Sequence, residues 1–312
     1  LAPNSFKQDW KLLPAEWGAS QVQSGCWPQD PIPNSSPFLY SINYEAVRAG
    51  RGKDAALKLL EQQLVMLVID ESSAIKNPQA LTTKRTIELA KRAVMVRELN
   101  GTPMTQNVMD YWGQLRVMKE LDGVNPYQFR NRFAVMGGYM GRQVKGMRNE
   151  QELYSILGRC SFRALKKDWR DLPPQLDVPV HLEMTRRQRR YYNEMMEDFV
   201  TRIEGVEVTA DMVLTQMGKL RQISSCLAMQ GEHQQFFEDP GNNPKLQAVL
   251  DLIDGGQGKV IVVYVYRASG AMLMNELNKA KLCPGRLQVQ MKSDDILAEK
   301  DRFNNDPACR VL

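Results

Sequence analysis

Two stretches of this sequence carry side chains that could act together on a phosphate. The first is Leu67-Val68-Ile69-Asp70-Glu71-Ser72-Ser73. An apolar run ending in two carboxylates reads as a buried strand that delivers negative charge to the carboxyl edge of a sheet, where open α/β sheets bind ligands. Neighbouring side chains at a strand end diverge and can divide the work. Asp70 could hold Mg²⁺ directly or through its waters, while Glu71 orients an attacking water. The same two residues also fit a solvated acidic turn ahead of a helix, and two acids by themselves favour that plainer reading.

The second stretch is Leu99-Asn100-Gly101-Thr102-Pro103-Met104-Thr105-Gln106-Asn107, which follows the next apolar run. Gly and Pro fix a sharp loop, and Thr and Gln offer hydroxyl and amide groups. Alone it is an ordinary turn. On the strand after the acidic one, it would lie beside the two carboxylates. A phosphate loop needs a strand, a glycine-rich turn, Lys-Ser/Thr and a helix, in that order. Gly52-Lys53 is followed by Asp54, and Gly255-Gly256-Gln257-Gly258-Lys259 has a helix before it and a strand after it, so neither qualifies.

Other chemistries are poorly supplied. Cys26, Cys160, Cys226, Cys283 and Cys309 are scattered without metal-ligand spacing, and His181 and His233 stand far apart. Dispersed, odd-numbered cysteines read as reduced thiols in a cytosol-like compartment. The basic runs Thr185-Arg186-Arg187-Gln188-Arg189-Arg190-Tyr191-Tyr192 and Lys166-Lys167-Asp168-Trp169-Arg170 read as solvated faces, although cations in a first helical turn favour an anionic neighbour. Met212, Met217 and Met229 read as packing. A net charge of +5 permits a nucleic-acid partner without requiring one.

The elements that must position these residues alternate. Phe38 to Ile42, Leu64 to Ile69, Val94 to Val96, Lys259 to Tyr266 and Arg286 to Gln290 read as strands, the most apolar of them far too short to cross a bilayer. Asp54 to Gln63, a helix opened by Pro78 and continued from Thr82 to Arg92, and Asn107 to Lys119 read as helices. On the last, Val108, Met109, Trp112, Leu115 and Met118 share roughly one face. Strand–helix alternation predicts an α/β fold of parallel sheets. From Leu115 to about Cys226 helices and loops are expected without a strand pair, with Gly137 to Gly141 a flexible turn, Asp171 to Pro174 a stop, and Val178 to Val180 extended. Thr185 caps a helix running to about Ile203. A boundary near residue 175 divides the chain into 1–175 and 176–312.

Taken together these residues resemble the Swi/Snf branch of superfamily-two helicases and translocases. Asp70-Glu71 with Ala74-Ile75-Lys76-Asn77-Pro78 is similar to the family's Walker B box, and Leu99 to Pro103 with Gln106, Asn107 and Trp112 resembles its third motif. Leu1-Ala2-Pro3-Asn4-Ser5-Phe6-Lys7-Gln8-Asp9-Trp10 resembles an early strand and turn that meets DNA, and Ser41-Ile42-Asn43-Tyr44-Glu45 the next DNA-side segment. Lys219 to Ser225 is similar to the leucine-arginine-glutamine helix, Lys259 to Tyr264 to the first strand of the second lobe, and Arg302 to Asp306 to the helix end before the fifth motif. The order and spacing of these pieces over nearly the whole chain carry the resemblance.

The resemblance implies two RecA-like parallel-sheet lobes with a helical insertion, both incomplete, ATP between them and double-stranded DNA across their top. It implies Asp70 for Mg²⁺, Glu71 for the water, and Gly101, Thr102 and Pro103 for coupling nucleotide state to lobe movement. Asn4, Lys7, Asn43 and Tyr44 would lie near the DNA backbone. Two positions depart from the pattern: Ser73 stands where histidine is usual, and Asn100 where threonine is usual. The family's phosphate loop would lie ahead of Leu1 and its arginine finger beyond Leu312, so the chain is expected to be a piece of a longer protein, inactive alone. The expected activity is that of a DNA-dependent ATPase in a bacterial or phage-infected cytosol or nucleoid. The competing readings are a non-enzymatic DNA- or protein-binding remnant and a restriction-type translocase subunit.

Overall fold

Residues 1–312 are described by a computed structural model, apart from 63, 166, 167, 169–172, 174, 199, 204, 205, 210–212, 231, 232, 289 and 290. The backbone divides into two units, Leu1–Leu172 and Pro173–Leu312.

In the first unit the order is α1 (Lys7–Glu16), β1 (Gln23–Cys26), β2 (Phe38–Ser41), α2 (Tyr44–Ala49), α3 (Arg51–Gln62), β3 (Met66–Asp70), α4 (Leu81–Arg92), β4 (Met95–Leu99), α5 (Asp110–Val117), α6 (Pro126–Phe133), β5 (Ala134–Gly137), β6 (Gln143–Met147) and α7 (Glu150–Cys160). β1 runs parallel to β2, and β3 runs parallel to β4 with Asp70 opposite Leu99. The segment Leu1–Ala2 joins the two pairs. Ala2 bridges Asn43 in parallel, and the Leu1 amine and carbonyl bond to Val68 and Asp70 in the alternation of a parallel pair. All five segments therefore run the same way, and their carboxyl ends share one edge.

β3 is not covered on both faces as its continuous apolarity suggests: Leu67 and Ile69 are buried, but Met66 is 54% exposed. Ile69 is fully buried, packed with Ile75, Leu89, Val96 and Val117. α4 buries Thr83, Thr86, Leu89 and Ala90, a helical stripe facing that layer. It begins at Leu81, so Pro78 precedes the helix rather than opening it. A second cluster centred on Trp112, Phe129, Phe133 and Leu153 gathers α5, α6 and α7. An Asn125–Gln128 capping box with Pro126 at the first turn fixes the start of α6.

In the second unit the order is α8 (Arg186–Asp198), β7 (Val200–Ile203), β8 (Val206–Thr209), α9 (Val213–Ile223), β9 (Leu227–Gln230), β10 (His233–Phe236), α10 (Pro244–Gly255), α11 (Arg267–Lys279) and α12 (Ser293–Asn305). Its parallel element is the pairing of Val260 with Val311, extended by bonds from Val262 to Leu312. Thr185 caps α8 as expected, in a reciprocal pair with Gln188.

Several expectations are corrected. The stretch from 115 to 226 is not free of strand pairs. β5–β6 and β7–β8 are antiparallel hairpins, and Gly138, Met140 and Gly141, all with positive φ, turn the first of them. α8 ends at Asp198, and Val200–Ile203 is strand. Residues 286–288 form no strand, and Val289 and Gln290 lie outside the described residues. So do Lys166, Lys167, Trp169, Arg170, Asp171, Leu172, Pro174 and Met212. The segment read as an early strand and turn is strand only at Ala2; α1 takes over at Lys7. No helix among the described residues is long and apolar enough to cross a membrane.

Candidate functional site

The parallel register of β3 and β4 brings the two chemical stretches together. Both strands reach the same edge one hydrogen-bonding step apart, and there the chain turns into Asp70-Glu71 on one side and Asn100-Gly101-Thr102-Pro103 on the other. Asp70 is half-buried, and one of its carboxylate oxygens accepts a hydrogen bond from Trp10 Nε1 at 2.9 Å. That indole fixes the direction of the carboxylate. The backbone of Asp70 is pinned as well: its amide donates to Leu1 and its carbonyl accepts from the Tyr44 hydroxyl.

Glu71 has φ 51° and ψ 57°, a left-handed conformation that costs a side-chain-bearing residue on the order of 1 kcal/mol or more. The turn Ser72–Ile75 behind it holds it there, anchored by fully buried Ser72 and Ile75. The Glu71 side chain is exposed, and among the described residues its carboxylate makes no hydrogen bond or ion pair. Gly101 and Thr102 are also exposed; the Thr102 amide donates to Asn100 Oδ1 at 2.9 Å. A Cβ at Gly101 would meet nothing within 4 Å, so the edge is open on that side.

Beneath these loops lies a polar layer that sequence reasoning missed. The Ser72 hydroxyl donates to Gln114 Oε1 at 2.9 Å and accepts from Asn100 Nδ2 at 3.1 Å. Gln114 Nε2 donates to the Pro103 and Asp110 carbonyls at 2.7 and 2.8 Å. Asp110 in turn accepts from the Thr105 amide and hydroxyl and the Gln106 amide, and Thr105 accepts from Lys76 Nζ at 2.6 Å. Asp110 and Gln114 are one helical turn apart and both buried on the face of α5. Two polar residues interrupting an apolar helical stripe are the signal that could have found them.

Glu98, at the end of β4, is enclosed. Burial pushes its carboxyl up to about 8, the nearby Ser72 hydroxyl works against that shift, and Oε1 has no hydrogen-bond partner. Tyr44 is likewise pushed up, first by burial and then by the charge of Asp70.

Of the four residues expected near a DNA backbone, two are where such contacts can form. Asn4 is exposed and Asn43 half-exposed, and Asn43 Nδ2 donates to Asn4 Oδ1 at 3.2 Å on the same carboxyl edge. The other two are corrected. Tyr44 is 6% exposed, packed in the first unit's core with its hydroxyl spent on Asp70. Lys7 is 4% exposed, its ammonium turned inward to the Trp27 carbonyl and Gln29. A cation so placed is engaged by these oxygens of the protein itself.

Residues 42–241 match the profile of the SNF2-related domain. Over 160 residues, 49% of this chain and 22% of the relative, it is 32% identical to a SWI/SNF-related matrix-associated actin-dependent regulator of chromatin subfamily A-like protein 1 homolog of Caenorhabditis elegans. Over 219 residues, 66% of this chain and 14% of the relative, it is 25% identical to the chromatin-remodeling ATPase INO80 of Candida glabrata. The chain thus spans less than a quarter of the length of either. Among solved structures, a SWI2/SNF2 ATPase core of Sulfolobus solfataricus in complex with dsDNA aligns with a TM-score of 0.44 and 22% identity, covering 99% of this chain and 65% of that one. These curated relatives, like an ISWI chromatin-remodeling complex ATPase of Arabidopsis thaliana, are eukaryotic chromatin proteins. The expectation of a bacterial or phage-infected cytosol is overturned by them.

Proposed function

The chain belongs to the SNF2-related domain family, and from that premise we propose that it forms part of a Mg-ATP-driven motor acting on double-stranded DNA. Residues 1–175 and 176–312 are read as parts of its two RecA-like lobes. The observation that carries this reading is the parallel pairing of β3 with β4, which supports a shared role for the acid pair and the Gly-Thr-Pro loop at one carboxyl edge.

Asp70 is the residue assigned to Mg²⁺. Among the described residues no group of three His, Cys, Asp or Glu side chains could hold a metal. A single oriented strand-end carboxylate fits Mg²⁺ that arrives with a nucleotide, because that ion is held by one or two carboxylates together with phosphates. When bound, it would neutralise charge on the transferred phosphoryl group. Glu71 is assigned to the attacking water: its carboxylate is exposed, unpaired among the described residues, and held by a strained backbone next to Asp70. The Trp10 indole keeps Asp70 aimed, and Gly101 and Thr102 line the open side of the edge.

Asn4 and Asn43 are assigned to the DNA backbone. Neutral amides that reach phosphate or sugar oxygens position a protein without reading sequence, as a motor that moves along DNA requires. In the natural full-length protein, Glu71→Gln is expected to cut duplex-stimulated ATP hydrolysis at least about a hundredfold while nucleotide binding persists. Turnover equal to wild type in that variant would overturn the assignment.

A further inference from the structure

The Ser73 hydroxyl, in the turn after Glu71, makes no hydrogen bond among the described residues. The two loops meet directly where Asn100 bonds Ser72, and Gln114, 5% exposed on α5, bonds to both from beneath. Its Oε1 accepts from Ser72, the residue after Glu71, at 2.9 Å and from Asn100, the residue before Gly101, at 3.4 Å. Its Nε2 donates to the Pro103 carbonyl at 2.7 Å and to the Asp110 carbonyl at 2.8 Å. A carboxamide has two donor hydrogens and two acceptor lone pairs, so its full capacity is committed.

A separate feature shows that α5 is built to sit this close. A Cβ at Gly113 would lie 2.0 Å from the Ile75 carbonyl oxygen, so only glycine lets the helix rest against the turn that follows Glu71. Asn100 completes the tie, because its Oδ1 also holds the Thr102 amide. Movement of either loop must therefore strain or break bonds to one buried amide.

We propose that Gln114 is a positioning residue that couples the Asp70-Glu71 strand end to the Gly-Thr-Pro loop, through its bonds to Ser72, Asn100 and the Pro103 carbonyl. This rests on the motor reading of the site. Gln114→Leu keeps the size of the side chain and removes its hydrogen bonds, leaving the Pro103 carbonyl without its donor. In the full-length protein the expected result is a fall in kcat for duplex-stimulated ATP hydrolysis of about tenfold, with KM for ATP within about twofold. Backbone amide exchange across 99–106, measured without nucleotide, is expected to quicken by about tenfold. Ser72→Ala should lower kcat less, and the double variant should lose less than the sum of the two single losses, because both remove the shared Ser72–Gln114 bond.

A folded Gln114→Leu protein with wild-type kcat and wild-type exchange would overturn the proposal, as would additive losses in the double variant. Where Gln114→Leu does not fold, Asn100→Ala decides by the same two readouts: slower turnover and faster exchange support the tie, and no change in either refutes it. Absence of ATP hydrolysis by the wild-type protein on duplex DNA would bring down the motor reading, and the exchange measurement would still decide whether Gln114 holds the two loops.

Discussion

Two apolar runs, Leu64 to Ile69 in the first unit and Lys259 to Tyr266 in the second, look alike in sequence and end differently. In the first, β3 lies between Leu1–Ala2 and β4, and Ile69 is fully buried. In the second, Val260 pairs with Val311, and the alternate residues Val260 and Val262 pack against Leu246, Ile253, Leu273 and Leu277. Tyr264 lies over Gly270, where a Cβ would meet its ring at 2.3 Å. The other face is bare: Ile261, Val263 and Val265 are 64, 90 and 61% exposed. The first run also has an open side, with Leu64 and Met66 89 and 54% exposed, but it is paired along both edges, whereas the second is paired along one; neighbouring elements decide how far an apolar run is covered.

The sharpest way to break this contrast is truncation at matched positions. Ile69→Ala should destabilise the first unit by about 2–5 kcal/mol, because it opens a cavity in a packed layer. Ile261→Ala should change the second by less than about 0.5 kcal/mol. Urea unfolding of each variant measures both, and equal losses would erase the distinction.

Coverage in the first unit also leaves a titration signature. Glu98 on β4 is held near 8 by burial, against an ordinary 4.5. Between those values the native state keeps a proton that the unfolded chain releases. Stability is therefore full at low pH, falls by up to about 1.4 kcal/mol per pH unit as pH rises, and levels off above the folded value. Glu98→Gln keeps the shape and cannot ionise. Its thermal midpoint should exceed that of wild type by more at pH 8 than at pH 5, and a gap independent of pH would mean that the carboxyl is solvated.

The same contrast explains what was legible in the sequence. α3 and α4 could be read because their helical period matches their buried faces, and β3 because its apolar run is short and ends in acids. β1 could not: Gln23-Ser24-Gly25-Cys26 has no strand-forming pattern and exists by pairing with β2, where a Cβ at Gly25 would lie 3.1 Å from the Tyr40 ring. The hairpin β5–β6 is short, bulged and glycine-rich, so it carries no clean alternation. At the site, the acid pair and the Gly-Thr-Pro loop stood out by type and spacing. Their support did not, because Ser72 meets Asn100 and Gln114 across 28 and 42 residues. The resemblance implies Lys7 and Tyr44 near a DNA backbone, but contacts with Trp27, Gln29 and Asp70 put them inside.

Where sheet coverage is thin, local devices should matter more. Thr185 and Gln188 exchange hydrogen bonds at the start of α8, and Thr185 also donates to Glu238 at 2.6 Å. Thr185→Ala should cost about 1 kcal/mol in the second unit, read as a drop in its urea midpoint at constant slope. Thr185→Ser should recover most of it, because the hydroxyl and not the methyl makes the cap.

The smallest expected effect is the most direct check on the bare face. Val263 is 90% exposed, with Val262 and Tyr264 on either side pointing into the packed face. A charge introduced at Val263 leaves the packed face intact and meets only water, so Val263→Lys should move stability by less than about 0.5 kcal/mol. The same change at Val262, half-buried against Leu246 and Leu273, should cost several-fold more, because it would bring an ammonium against apolar neighbours. Comparing the two by urea unfolding tests the alternation itself. If Val263→Lys costs as much as Val262→Lys, something covers that face in solution, and the run that forms only a single bridge at Val260 is enclosed on both sides.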